Sequence, residues 1–90
     1  MVVTLKLDIH DTSAIRTWIR RLEAIGMPCL GDFVALPGGH ESSVEACRWD
    51  EDLRHLEVRL MRLSMSQNRL AGYSKVLDEK GWIEAIQVKS

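Results

Sequence analysis

Residues 47–65, CRWDEDLRHLEVRLMRLSM, decide the architecture of this chain, because the segment threads equally well onto a helix and onto a strand. As a helix, Leu53, Leu56, Leu60 and Leu63 fall within an arc of roughly 80° at 100° per residue, with Asp50 as cap and Glu51 and Asp52 in the first turn. That helix leaves Val58, Met65 and most of Met61 in water, and it runs on through Ser64, Ser66 and Asn68 without a stop. As a strand, Leu56, Val58 and Leu60 alternate with His55, Glu57 and Arg59, and Met61 then falls out of phase. One extra residue near Leu60 and Met61, a β-bulge, restores the phase. Met61, Leu63 and Met65 then point inward, Arg62 and Ser64 outward, and residues 50–52 form a hairpin turn. Burial favours the strand, although Val58 is the only β-branched residue in it, since packing routinely overrides propensity.

The flanking segments read more simply. Val3, Leu5, Leu7 and Ile9 alternate with Thr4, Lys6, Asp8 and His10, the period-two pattern of a strand with one wet face. After it, Asp11, Thr12 and Ser13 are cap residues, and Ile15, Trp18, Ile19, Leu22 and Ile25 recur at helical spacing until Gly26 and Pro28 end the run. Pro37-Gly38-Gly39 predicts a turn between two short strands, the first of which, with Phe33 and Ala35 opposite Val34 and Leu36, is apolar on both faces. Leu70, Tyr73, Val76 and Leu77 predict a second helix closed by Lys80 and Gly81, and the segment from Trp82 to Val88 predicts a last strand.

The expectation is one α+β domain over residues 1–90: an antiparallel or mixed sheet of four to five strands with two helices on one face, in the order β-α-β-β-β-α-β. If residues 53–63 are helical, the order shortens to a ferredoxin-like β-α-β-β-α-β.

Composition narrows the function classes. Twelve basic and thirteen acidic residues leave a net charge of -1, so no whole-molecule field draws in a polyanion, and nucleic-acid binding is disfavoured. No apolar run is long enough to cross a bilayer, and the charged N-terminal stretch lacks the apolar core of a signal peptide, which points to the cytoplasm. Cys29 and Cys47 have no CxxC spacing and read as two buried thiols, with no metal or cofactor expected. The glycines of LPGGH lack the frames that cradle phosphate, and no GxSxG elbow occurs.

The nearest approach to a catalytic cluster is DIHD, in which Asp8 and His10 share one face of a strand about 7 Å apart, with His55 as a further acid or base. No third metal ligand or orienting group accompanies them. Arginine supplies the other candidate: five of the eight fall in residues 48–69, and in the strand reading Arg54, Arg59 and Arg62 share a solvent side near Trp49, the composition of an interaction surface. Acidic neighbours nearly cancel their charge.

The leading expectation is a non-enzymatic binding or assembly module, a homodimer that presents a sheet face or strand edge to a protein partner. A 90-residue chain buries only roughly 60 to 70% of its unfolded surface, and a strand apolar on both faces needs a cover. The rival is a small enzyme or ligand-binding protein with a pocket between sheet and helices, using Asp8, His10 or His55. A third reading is an accessory or regulatory protein of a phage or mobile element that contacts nucleic acid.

Overall fold

The computed structural model describes residues 2–23 and 29–85. These residues form seven strands and a single α-helix in the order β1 (Val2–His10), β2 (Ile15–Glu23), β3 (Phe33–Ala35), β4 (Glu41–Asp50), β5 (His55–Leu60), β6 (Leu63–Ser64), α1 (Gln67–Glu79) and β7 (Ile83–Glu84), with a 3-10 turn at Pro37–Gly39 between β3 and β4. The strands form one mixed sheet in the order β3-β4-β5-β1-β2-β7, with β6 also on β1. The expected sheet of four to five strands under two helices is therefore overturned, and so is its ferredoxin-like variant.

The error lies at residues 15–23. Ile15–Glu23 is a strand paired antiparallel with β1, not a helix, with Leu7 opposite Trp18 and His10 opposite Ile15. Asp11 makes the bonds expected of a helix cap, but it makes them to a hairpin turn: Oδ1 accepts from the backbone N–H of Ser13 at 2.7 Å and of Ala14 at 2.8 Å, and the Asp11 N–H donates to the Ala14 carbonyl. Ile25, Gly26 and Pro28, which also supported the helix, lie outside the described residues, as do the last residues of the predicted final strand.

The ambiguous segment is extended. β5 runs parallel to β1 with Val3 opposite Leu56 and Lys6 opposite Arg59, whereas in β6 Ile9 faces Leu63. Four residue steps on this strand thus span three on β1, the signature of one inserted residue. The insertion is pinned from the other side, where the Met61 N–H donates to the Ser43 carbonyl at 2.8 Å and the Ser42 hydroxyl donates to the Met61 carbonyl at 2.7 Å. Met61 itself is exposed, contrary to its expected inward position, and the inward phase resumes at Leu63 and Met65, which pack partly buried against the core. The hairpin turn between β4 and β5 is closed by Asp50, whose Oδ1 accepts from the Leu53 N–H.

All core side chains lie on one face of the sheet. Val3, Leu5, Leu7 and Ile9 of β1 and Leu56, Val58 and Leu60 of β5 pack with Trp18, Val44 and Trp82 beneath Leu70, Tyr73 and Leu77 of α1. The helix starts at Ser66, whose hydroxyl accepts from the Arg69 N–H. On its β3–β4 side the Tyr73 hydroxyl donates to the Pro37 carbonyl at 2.9 Å, and the His40 ring meets Tyr73 edge-on at 4.9 Å. Gly38 is required at that turn: its φ is 76°, and an added Cβ would stand 3.4 Å from the Tyr73 ring.

β3 is a terminal strand of the sheet order, not a central one, and the two-sided apolar pattern resolves into Val34 and Leu36 turned toward the core with Phe33 exposed. Cys29 and Cys47 are exposed, which corrects their expected burial. No helix among the described residues is long and apolar enough to cross a membrane.

Candidate functional site

Among the described residues one α-helix packs on the sheet, on a single face, and the opposite face carries most of the side chains singled out from sequence. Alternation from the core residues assigns Thr4, Lys6, Asp8 and His10 of β1 to it, together with Ile15, Thr17, Ile19 and Arg21 of β2 and His55, Glu57 and Arg59 of β5. The side chains form a cross-linked grid. Lys6 pairs with Glu57 at 3.3 Å, the Thr17 hydroxyl donates to Asp8 Oδ1 at 2.6 Å, and the hydroxyl of Thr4, 6% exposed, hydrogen-bonds His55 Nε2. Across the β1–β2 end of this face, Lys6, Asp8, His10, Ser13, Ile15, Thr17 and Arg59 line a shallow depression of about 670 Å³.

The three catalytic candidates do not converge. Asp8 and His10 share the depression, but His55 stands opposite Val2, at the far end of β1 and roughly 25 Å from His10 at 3.3 Å per residue. Asp8 is occupied by Thr17, and no group of three or more metal-ligating side chains exists among the described residues. None of the three points into the space between sheet and helix that an enzyme of the expected kind requires.

The arginine surface is divided as well. Trp49 sits opposite Leu56 and so projects on the helix-bearing face, whereas Arg59 sits opposite Ala46 on the other face. Arg54 lies in the β4–β5 turn with φ 48°. Only Arg59 and Arg62 meet, in a cleft that also holds Asp8 and Glu45.

A site that sequence reasoning missed lies between α1 and the β2–β7 edge. Arg16 Nε donates to Glu84 Oε2 at 2.6 Å and Nη2 to Oε1 at 2.8 Å, while the guanidinium carbon lies 4.9 Å from the centre of the Trp18 ring. The pair raises the Arg16 pKa and lowers that of Glu84, chiefly through these two hydrogen bonds. Arg16, Trp18 and Glu84 line a cleft of about 270 Å³ with Ser74, Lys75 and Asp78 of α1 and with Trp82. Trp18 and Trp82 are each 2% exposed, and the Trp82 Nε1–H is buried without an acceptor among the described residues. The residues come from positions 16–18, 74–78 and 82–84, so no local motif announces them. Reading residues 15–23 as a strand was the one signal that would have set Arg16 and Trp18 on a common face.

No protein family matches the chain, and no curated protein and no solved structure matches it either.

Proposed function

We propose that the chain is a non-enzymatic binding and assembly module whose working surface is the helix-free face of the sheet, and that its partner is a protein, namely a second copy of itself. The observation that carries this reading is a row of isoleucines at the β2–β7 side of that face. Ile83 stands opposite Ile19, which lies four residues from Ile15 on the same face with Thr17 between them, and Ile83 is 71% and Ile15 44% exposed. A cluster of exposed branched apolar side chains beside a polar field is the composition of an interface core with its rim.

The polar field favours a second copy over a nucleic acid. The helix-free face holds Lys6, Arg21, Arg48 and Arg59, with Arg62 beside Arg59, against Asp8, Glu23, Glu41, Asp50 and Glu57, with Glu45 beside Asp8, so the two signs nearly balance. A balanced face has no net field to attract a polyanion, and a two-fold operation can set its cations against the partner's anions. Two such sheets stacked face to face give a sandwich about 10 Å between layers.

Size-exclusion chromatography with light scattering tests the reading. A dimer is expected at micromolar concentration, and Ile15→Lys combined with Ile83→Lys should return a folded monomer, because both side chains are already exposed. A wild-type chain that stays monomeric at that concentration overturns self-association. A dimer unaffected by the double substitution assigns the contact to another surface and overturns the face.

A further inference from the structure

We propose that the cleft between α1 and the β2–β7 edge binds a small planar carboxylate, with one carboxylate oxygen accepting from the Trp82 indole N–H. The argument begins with that N–H. It is buried, it belongs to a side chain that lines a cleft, and it has no acceptor among the described residues. Buried indole N–H groups are ordinarily hydrogen-bonded, so an orphan beside an open space marks a missing oxygen.

The donors and acceptors around the cleft define the missing group. Both Glu84 oxygens already accept from Arg16, and the Ser74 hydroxyl donates to the Ala71 carbonyl. Against the one remaining carboxylate, Asp78, stand the Trp82 N–H, the Lys75 ammonium, which forms no ion pair among the described residues, and the three Arg16 N–H groups that Glu84 does not take. Donors exceed acceptors, so the complementary molecule is rich in acceptors and negatively charged. Trp18 and Trp82 form a largely buried apolar floor, and about 270 Å³ equals the liquid volume of about nine waters at roughly 30 Å³ each, room for a small molecule. An aromatic or short-chain monocarboxylate fits this description. Lys75 and Asp78 are exposed on α1, so the rim can move on a side-chain timescale to admit it.

Benzoate, with nine heavy atoms, is the probe. In the full chain labelled with ¹⁵N, the Trp82 indole proton should move downfield and saturate on titration with sodium benzoate, with a midpoint of about 10 mM or lower, as expected for a ligand of this size. Sodium chloride at matched ionic strength should leave it in place, and so should benzoate leave the exposed Trp49 indole. Benzamide, of the same shape without the charge, should bind more weakly, and Lys75→Ala, at an exposed helix position, should raise the benzoate midpoint about threefold or more. A Trp82 resonance that stays fixed, or that moves only in step with Trp49, overturns the site. Equal binding of benzamide and benzoate overturns the carboxylate assignment.

Discussion

Asp11 shows how one side chain can satisfy two incompatible readings. Its Oδ1 accepts the N–H groups two and three residues ahead, the bonds of a helix cap, yet the chain turns back into β2. The Ser13 N–H first, then the Ala14 N–H, lower its pKa, against an opposing effect of burial. A carboxylate with a depressed folded pKa contributes stability that is fully present above its unfolded value, about 3.9, and is lost as pH falls through the folded one. Asp11→Asn keeps an oxygen acceptor and removes the titration. The melting temperatures of wild type and Asp11→Asn should therefore differ by a constant amount from neutral pH down to about pH 5 and converge below about pH 4. A gap that stays constant into strong acid would deny Asp11 this role. Glu84 offers a contrast: its bidentate bond to Arg16 looks strong, but the two side chains are 39% and 38% exposed, so solvent screening should hold the cost of Glu84→Gln below about 1 kcal/mol in denaturant titrations.

At the scale of elements, period-two alternation made β1 legible, and helical spacing closed by Lys80 and Gly81 made α1 legible, although its Ser66 cap was not read from sequence. β2 was not, because Ile15, Trp18, Ile19 and Leu22 fit a helical stripe while, as a strand, they divide between two faces: Trp18 and Leu22 toward the core, Ile15 and Ile19 away from it. A strand with apolar residues on both sides does not alternate, and periodicity then favours the wrong element. The β-branched content of Ile15, Thr17 and Ile19 was the contrary signal. The bulge in β5–β6 was legible from the broken phase at Met61, but its direction was not, since Ser42 and Ser43 of β4 hold the Met61 backbone and leave the Met61 side chain in solvent. Ser42 is 5% exposed, so Ser42→Ala should destabilise by about 1–2 kcal/mol, leaving the Met61 carbonyl without the Ser42 donor. Leu77→Ala, at a fully buried helix position in the core, should cost more, about 2–5 kcal/mol. Urea titration of both variants would test that order. The candidate sites follow the same division: Asp8 and His10 were found because they sit on the legible strand, whereas the Trp18–Trp82 cleft depended on the misread one.

For the whole molecule, the consequential fact is that, among the described residues, a seven-stranded sheet has one α-helix to cover it. The core occupies the covered face, and the opposite face keeps its isoleucines in water. If a second copy covers that face, folding and association are linked by mass action, and the free energy of association adds to the stability of each chain in proportion to the logarithm of concentration. The melting temperature should then rise with protein concentration over a hundredfold range. In the Ile15→Lys/Ile83→Lys chain it should stay constant, at the value wild type approaches on dilution, because those substitutions alter exposed positions and leave the buried layer intact. Scanning calorimetry at several concentrations reads both quantities. A concentration-independent wild type would mean that the face is solvated in the working protein, and its nearly balanced cations and anions would then act as a screened, ion-paired surface that contributes little to stability.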